Sequence, residues 1–245
     1  MADLIRRRID TFWGYGSIGA PVLFVGMEER FDLVAGEEKL WKQFEYADSN
    51  MQKGMLDVDR SRISDWGYFP NMSPFLPDAG LQRTWRMPIA LFLYLRDAVR
   101  PTESKVLEFQ RNILADGKLK EASTLELSSL PAPSTNDWSL YERHHIPGLE
   151  SRAKYCRTFL LKRTNQLREL VQKHAPRLVI MYGTSYLRLW DTVTGGSFQD
   201  PVTMPNKIAK TYFSHNSTTS FCLIPQRYFA RDSMYKYADF IRERI

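Results

Sequence analysis

Val22-Leu-Phe-Val25 is an unbroken apolar run that stops on Gly26 and gives way at once to Met27-Glu28-Glu29-Arg30. A short apolar run ending on glycine and charge is the pattern of a core strand at its carboxyl end. In open α/β sheets, ligands bind along the edge formed by those strand ends. A carboxylate there can orient a water or hold a substrate, which makes Glu28 the first catalytic candidate, with Gly26 and Met27 beside it. The alternative is a solvated loop after a strand.

Further elements follow from periodicity and punctuation. A short helix is expected over Leu4 to Phe12, and Gly14 to Gly19 reads as a flexible approach to the first strand. Those glycines precede the strand, so they are not a dinucleotide fingerprint. Helices are expected over Glu37 to Met51, Trp85 to Val99, Thr102 to Ala115, Leu149 to His174 and Asp232 to Ile245, with a short one ending near Leu189. Pro101-Thr102-Glu103 marks a helix start, and Ala175-Pro176 a stop. Three more strands are expected over Ser123 to Ser128, Arg177 to Tyr182 and Ser220 to Ile224, the first breaking at Ser129-Leu-Pro. Gly195 to Asn206 reads as a surface loop. The stretch from Asp57 to Thr84, rich in aromatics and proline, is long for a connection and is expected to form a wall of the site. Strands separated by helices predict a parallel sheet covered on both faces. The expected fold is a three-layer α/β/α sandwich with a central four-stranded parallel sheet, a single domain over residues 1–245.

Composition removes several function classes. Only Cys156 and Cys222 are present, which excludes a disulfide framework and any four-cysteine zinc or iron–sulfur site. A reducing cytoplasm is the expected compartment. No apolar stretch approaches the ~20 residues of a membrane span, and no apolar segment follows Arg6-Arg7-Arg8 to make a secretory signal. There is no G-x-S-x-G, P-loop or HExxH motif, and no cofactor is expected. His144-His145 lacks companion ligands, so no metal is expected there. The net charge of +6 is concentrated: Ser151 to Trp190 holds nine Lys/Arg against the single acid Glu169. Such a segment suits a polyanion such as DNA, the alternative being a solvated helix face.

Four segments in this order, "VLFVGMEE", "LELSSLPAPS", "APRLVIMYGTS" and "FCLIPQRYFARDS", with "LQRTWR" between the first two, resemble the uracil-DNA glycosylase superfamily. In that superfamily the first strand ends in a glycine-led motif such as GxNPG or GQDPY, whose third residue positions or activates the attacking water. Here that residue is Glu28. The resemblance puts Glu126 at the place of an asparagine that reads the base edge, and Ile224-Pro225-Gln226 at the place of a His-Pro-Ser motif. Two departures stand out: Glu29 replaces the proline, and Ile224 can neither donate a hydrogen bond nor hold charge. Glu126 would accept hydrogen bonds where an amide both donates and accepts. That suits an exocyclic amine better than uracil's carbonyls.

The resemblance therefore implies a monofunctional DNA glycosylase, most simply a monomer, that hydrolyses the N-glycosidic bond of a damaged or modified base and leaves an abasic site. A bulky modified cytosine in phage DNA would be one such target and would imply a defence role. Glu28 would stabilise an oxocarbenium-like state or orient water. Gly26, Met27, Phe31, Phe75 and Glu126 would surround the flipped base, with Phe69 a further candidate. Gln226, Arg227, Tyr228 and Arg231 would contact DNA, the arginines on phosphates and the aromatic as a wedge. Two alternatives are a non-catalytic nucleic-acid binder of the same fold and a hydrolase of free nucleosides.

Overall fold

The computed structural model describes residues 1–30, 36–58, 74–134, 137–198, 201–202, 210–226 and 231–244. In chain order the elements begin with helix α1 (Ala2–Thr11), strands β1 (Gly14–Tyr15) and β2 (Val22–Arg30), helix α2 (Glu37–Asn50) and strand β3 (Met55–Leu56). Helices α3 (Arg83–Asp97) and α4 (Glu103–Asn112) lead to strand β4 (Ala122–Ala132). Short helices α5 (Ser139–Glu142) and α6 (Arg152–Tyr155) follow, and α6 runs through a π-helical turn (Cys156–Leu160) into α7 (Leu161–His174). Strand β5 (Leu178–Tyr182), helix α8 (Leu187–Thr194), strands β6 (Tyr212–His215) and β7 (Ser220–Ile224), and helix α9 (Arg231–Arg242) complete the chain.

The strands form one mixed sheet in the order β3-β1-β4-β2-β5-β7-β6. It has seven strands and is not all parallel, which corrects the expected four-stranded parallel sheet. Its centre, β4-β2-β5-β7, is parallel throughout, whereas β1 runs antiparallel to β4 and β6 antiparallel to β7. The three strands not foreseen are two to four residues long, too short to display a period of two. Gly14 and Tyr15, expected in a flexible approach, belong to one of them. The carbonyl of Thr124 occupies the place where a side chain of Gly14 would stand.

The central strands are buried on both faces, and their alternate residues enter separate cores. Val22, Phe24, Ile180, Cys222 and Ile224 pack with α3, α4 and α9. Leu23, Val25, Val179, Met181 and Leu223 pack with α7 and α8. A third cluster joins α1, α2 and the segment from Trp138 to Tyr155 to Leu130, near the carboxyl end of β4. This is a mixed α/β architecture with helices on both faces of the sheet.

Strand β4 does not break at Ser129 as expected; it continues to Ala132. The proline is accommodated by an irregularity. Glu28 pairs with Ser128 but Arg30 pairs with Ala132, so β4 has extra residues between those two points. Proline is tolerated in a sheet at such a bulge, where a ladder hydrogen bond is already missing. Among the described residues no helix is long and apolar enough to cross a membrane.

Candidate active site

The order of the parallel strands locates a crevice. The chain passes from β2 to β4 on one side, then crosses to β5 on the other side of β2, and continues outward to β7. The point of reversal lies between β2 and β5, and open α/β sheets bind ligands outside the carboxyl ends at such a point. The β2–β5 ladder ends at the pair Val25–Met181, while the β2–β4 ladder runs on. Beyond Val25 the two strands are no longer paired, with Gly26 to Glu29 on one side and Tyr182 to Thr184 on the other.

Gly26 is required there by close approach. A Cβ at this position would overlap the Glu126 carboxyl and stand 2.6 Å from the Tyr182 hydroxyl. Glu126, paired with Gly26 across the ladder, thus sits beside Tyr182 and is only 6% exposed. Burial pushes its carboxyl well above the ordinary carboxylate range, and the neighbouring Glu29 and Glu28 add to the shift. Tyr182 is pushed up as well, chiefly by burial and also by Glu126.

Two of the three clustered carboxyls have arginine partners. Glu28 lies 2.6 Å from Nη2 of Arg152, with side chains 11% and 17% exposed respectively. Burial raises the Glu28 pKa, and the Arg152 charge opposes that rise. Glu29 accepts hydrogen bonds from the Tyr15 hydroxyl at 2.5 Å and from Arg8 Nη2 at 3.1 Å. Arg8 also donates to the Ser129 carbonyl, and Gln43 donates to the Tyr15 hydroxyl. Among the described residues no cation contributes to Glu126. Three acids share two arginines, and the one without an arginine, Glu126, is hydrogen-bonded to Tyr182 and shifted toward its protonated form. The shift favours a form of Glu126 that both donates and accepts, as an amide does, in place of the acceptor expected from the sequence.

Arg163, counted with the basic face in the sequence, is buried. Its guanidinium donates to the carbonyls of Leu127 (2.7 Å), Ile9 (2.8 Å), Phe12 (2.8 Å) and Glu126 (3.2 Å). It ties the end of α1 to the β4 backbone below the site. Burial lowers its pKa to about 10, which leaves it charged at neutral pH. Arg152 is likewise spent on Glu28. Two of the nine positive charges of that segment are therefore internal.

The other predicted residues are placed as follows. Met27 is buried in the core facing α7 and α8. Phe75 is a core residue at 2% exposure, packed between Tyr15 and Trp85, and not an open stacking face for a base. Ile224 is buried, and its carbonyl accepts from the Gly183 amide at 2.9 Å. Gln226 is exposed just beyond β7 on the same edge as Glu28. Arg231 opens α9. Phe31, Phe69, Arg227 and Tyr228 lie outside the described residues, as does most of the proposed aromatic wall. His144 stacks edge-on against Trp41, with ring centroids 5.3 Å apart, and burial lowers its pKa. Among the described residues no group of three or more His, Cys, Asp or Glu is arranged to hold a metal ion.

Arg152, Tyr182, Arg8 and Tyr15 were missed as members of the site. One signal was available: two consecutive glutamates at the end of a buried strand require nearby cations or hydroxyls. Which groups would supply them was not visible locally, since the partners come from α1, β1 and α6. Compared with family models, curated proteins and solved structures, the chain matches none.

Proposed function

We propose that this protein is a DNA glycosylase of the uracil-DNA glycosylase kind, acting on a damaged or modified base. The observation that carries the reading is the position of Glu28, a part-buried carboxylate at the end of the first central strand beside the β2–β5 crevice. The four segments that carry the resemblance all end on that same edge, on the four parallel strands β2, β4, β5 and β7. In the proposed reaction the water oxygen bonds to the sugar C1′ as the C1′–N bond breaks. The base leaves with the bonding electrons, and Glu28 takes the water proton. The ionised carboxylate also opposes the positive charge that develops on the sugar. Glu126, shifted by burial toward its protonated form, would when protonated read a base edge through one donor and one acceptor. That widens the candidate bases from those with an exocyclic amine to those that also present a carbonyl.

The test is an abasic-site assay over genomic DNAs carrying different base modifications. Glu28→Gln should lower the rate by about 10²- to 10⁴-fold, the usual size of a lost general base, and leave DNA affinity nearly intact. Wild-type protein that cleaves no glycosidic bond on any of these DNAs would refute the enzyme. Activity on free nucleosides with no salt-sensitive DNA binding would favour a nucleoside hydrolase. A second reading, a non-catalytic DNA binder, is favoured by the Glu28–Arg152 pair, which already engages the carboxylate, and by apolar Ile224.

A further inference from the structure

We propose that Arg152 is the positioning residue of this site: it fixes the orientation of the Glu28 carboxylate and holds it ionised inside a part-buried crevice. The inference rests on the reading of Glu28 as the reacting carboxylate. Its basis is geometric. Arg152 stands in the first turn of α6, capped by Ser151, and its side chain returns to the end of β2. The guanidinium lies 5.7 Å from the Trp138 ring centroid, which limits where it can swing. Nη2 meets Oε2 of Glu28 as an ion pair outside hydrogen-bond geometry, and both that oxygen and the buried Nη1 are without a hydrogen-bond partner among the described residues. The helix then enters the π-helical turn at Cys156, and such turns occur frequently at functional sites.

The charges around the pair make Arg152 the deciding one. Glu28 is faced by Arg152 from α6, Cys156 from the π-turn, Glu126 from β4 and Tyr141 from α5. Arg152 in turn feels Glu28, Cys156 and Tyr186. Burial raises the pKa values of Cys156 and Tyr141, so both stay neutral at pH 7, and burial likewise shifts Glu126 toward its neutral form. Among the described residues, Arg152 is thus the cation that opposes the burial of Glu28. An opposite charge at this range is worth about one to three pH units in a carboxyl titration.

The experiment pairs two readouts on wild type, Arg152→Gln and Arg152→Lys. The Glu28 titration is followed by carboxyl carbon NMR in glutamate-labelled protein, assigned with Glu28→Gln, and the pH–rate profile is taken on the DNA that wild type cleaves. Arg152→Gln is expected to move the Glu28 midpoint up by about one pH unit or more. The acidic limb of the rate should move with it, so that activity lost at pH 6 returns at higher pH. Arg152→Lys, which keeps the charge but not the fork, should hold the midpoint within a fraction of that change. An unmoved Glu28 midpoint in folded Arg152→Gln overturns the proposal, as does an activity loss that is the same at every pH. Should wild type prove inactive, the NMR titration alone still decides the role of Arg152, while the glycosylase reading fails separately. Failure of both variants to fold would make Arg152 structural and also overturn it.

Discussion

Glu126 and Tyr182 occupy the space above Gly26, and this contact makes two residue-level predictions. Gly26→Ala forces a methyl group between two buried polar side chains, and such overpacking typically costs about 1–3 kcal/mol. Urea unfolding would measure it, and wild-type stability would mean that the contact is loose. Glu126 makes a pH prediction. Its folded-state pKa lies well above the ordinary 4.5, so above pH 4.5 the folded protein retains a proton that the unfolded chain releases. Stability from this group is complete below about 4.5 and is lost as pH rises toward the folded value, at no more than about 1.4 kcal/mol per pH unit. Glu126→Gln cannot ionise and should lose less stability than wild type between pH 5 and pH 8. Parallel stability–pH curves for the two proteins would contradict a buried neutral acid.

At the scale of the element, the helix from Arg152 to His174 does more than cover the sheet. Its first residue neutralises Glu28, and Arg163 anchors four backbone carbonyls belonging to α1, β4 and the chain just after α1. Arg163→Met would leave those acceptors without a donor in a dry interior. A loss of about 3 kcal/mol or more is expected from the desolvated carbonyls. Arg163→Lys should recover only part of it, because an ammonium cannot reproduce the planar fork. Denaturant unfolding of both variants tests this, and a Met variant as stable as wild type would show that the carbonyls find other donors.

For the whole molecule, the direction of that helix redistributes the basic charge. It begins at the carboxyl edge with Arg152 and ends before Arg177, which precedes β5 at the opposite edge. Arg157 and Lys173 are both exposed, yet they stand about 24 Å apart along a helix rising 1.5 Å per residue. DNA bound at the Glu28 edge would meet Arg157 and the exposed Arg188 near the start of α8, and would not meet Lys173 or Arg177. Arg157→Glu should therefore weaken DNA binding and lower the salt slope by about one. Lys173→Glu with Arg177→Glu should change little. Fluorescence anisotropy across a range of salt distinguishes the two, and equal effects from both would place the DNA along the whole helix.

The amino-acid sequence by itself determined the four central strands, three from apolar runs and β4 from alternating apolar and polar residues, although β4 proves buried on both faces. It determined most helices within a few residues and put Glu28 near the carboxyl end of the first central strand, but that strand does not stop at Gly26 and runs on to Arg30. Only the tertiary structure decided the order of those strands, and hence that the crevice lies between β2 and β5. It alone added the short outer strands, which carry too few residues to show a pattern. It alone separated the surface arginines from Arg152 and Arg163, which are spent inside. The reason is physical: periodicity reports how a segment is buried, whereas a buried charge is settled by its partner. Glu28 finds that partner in Arg152, on a helix that follows two further strands later in the chain.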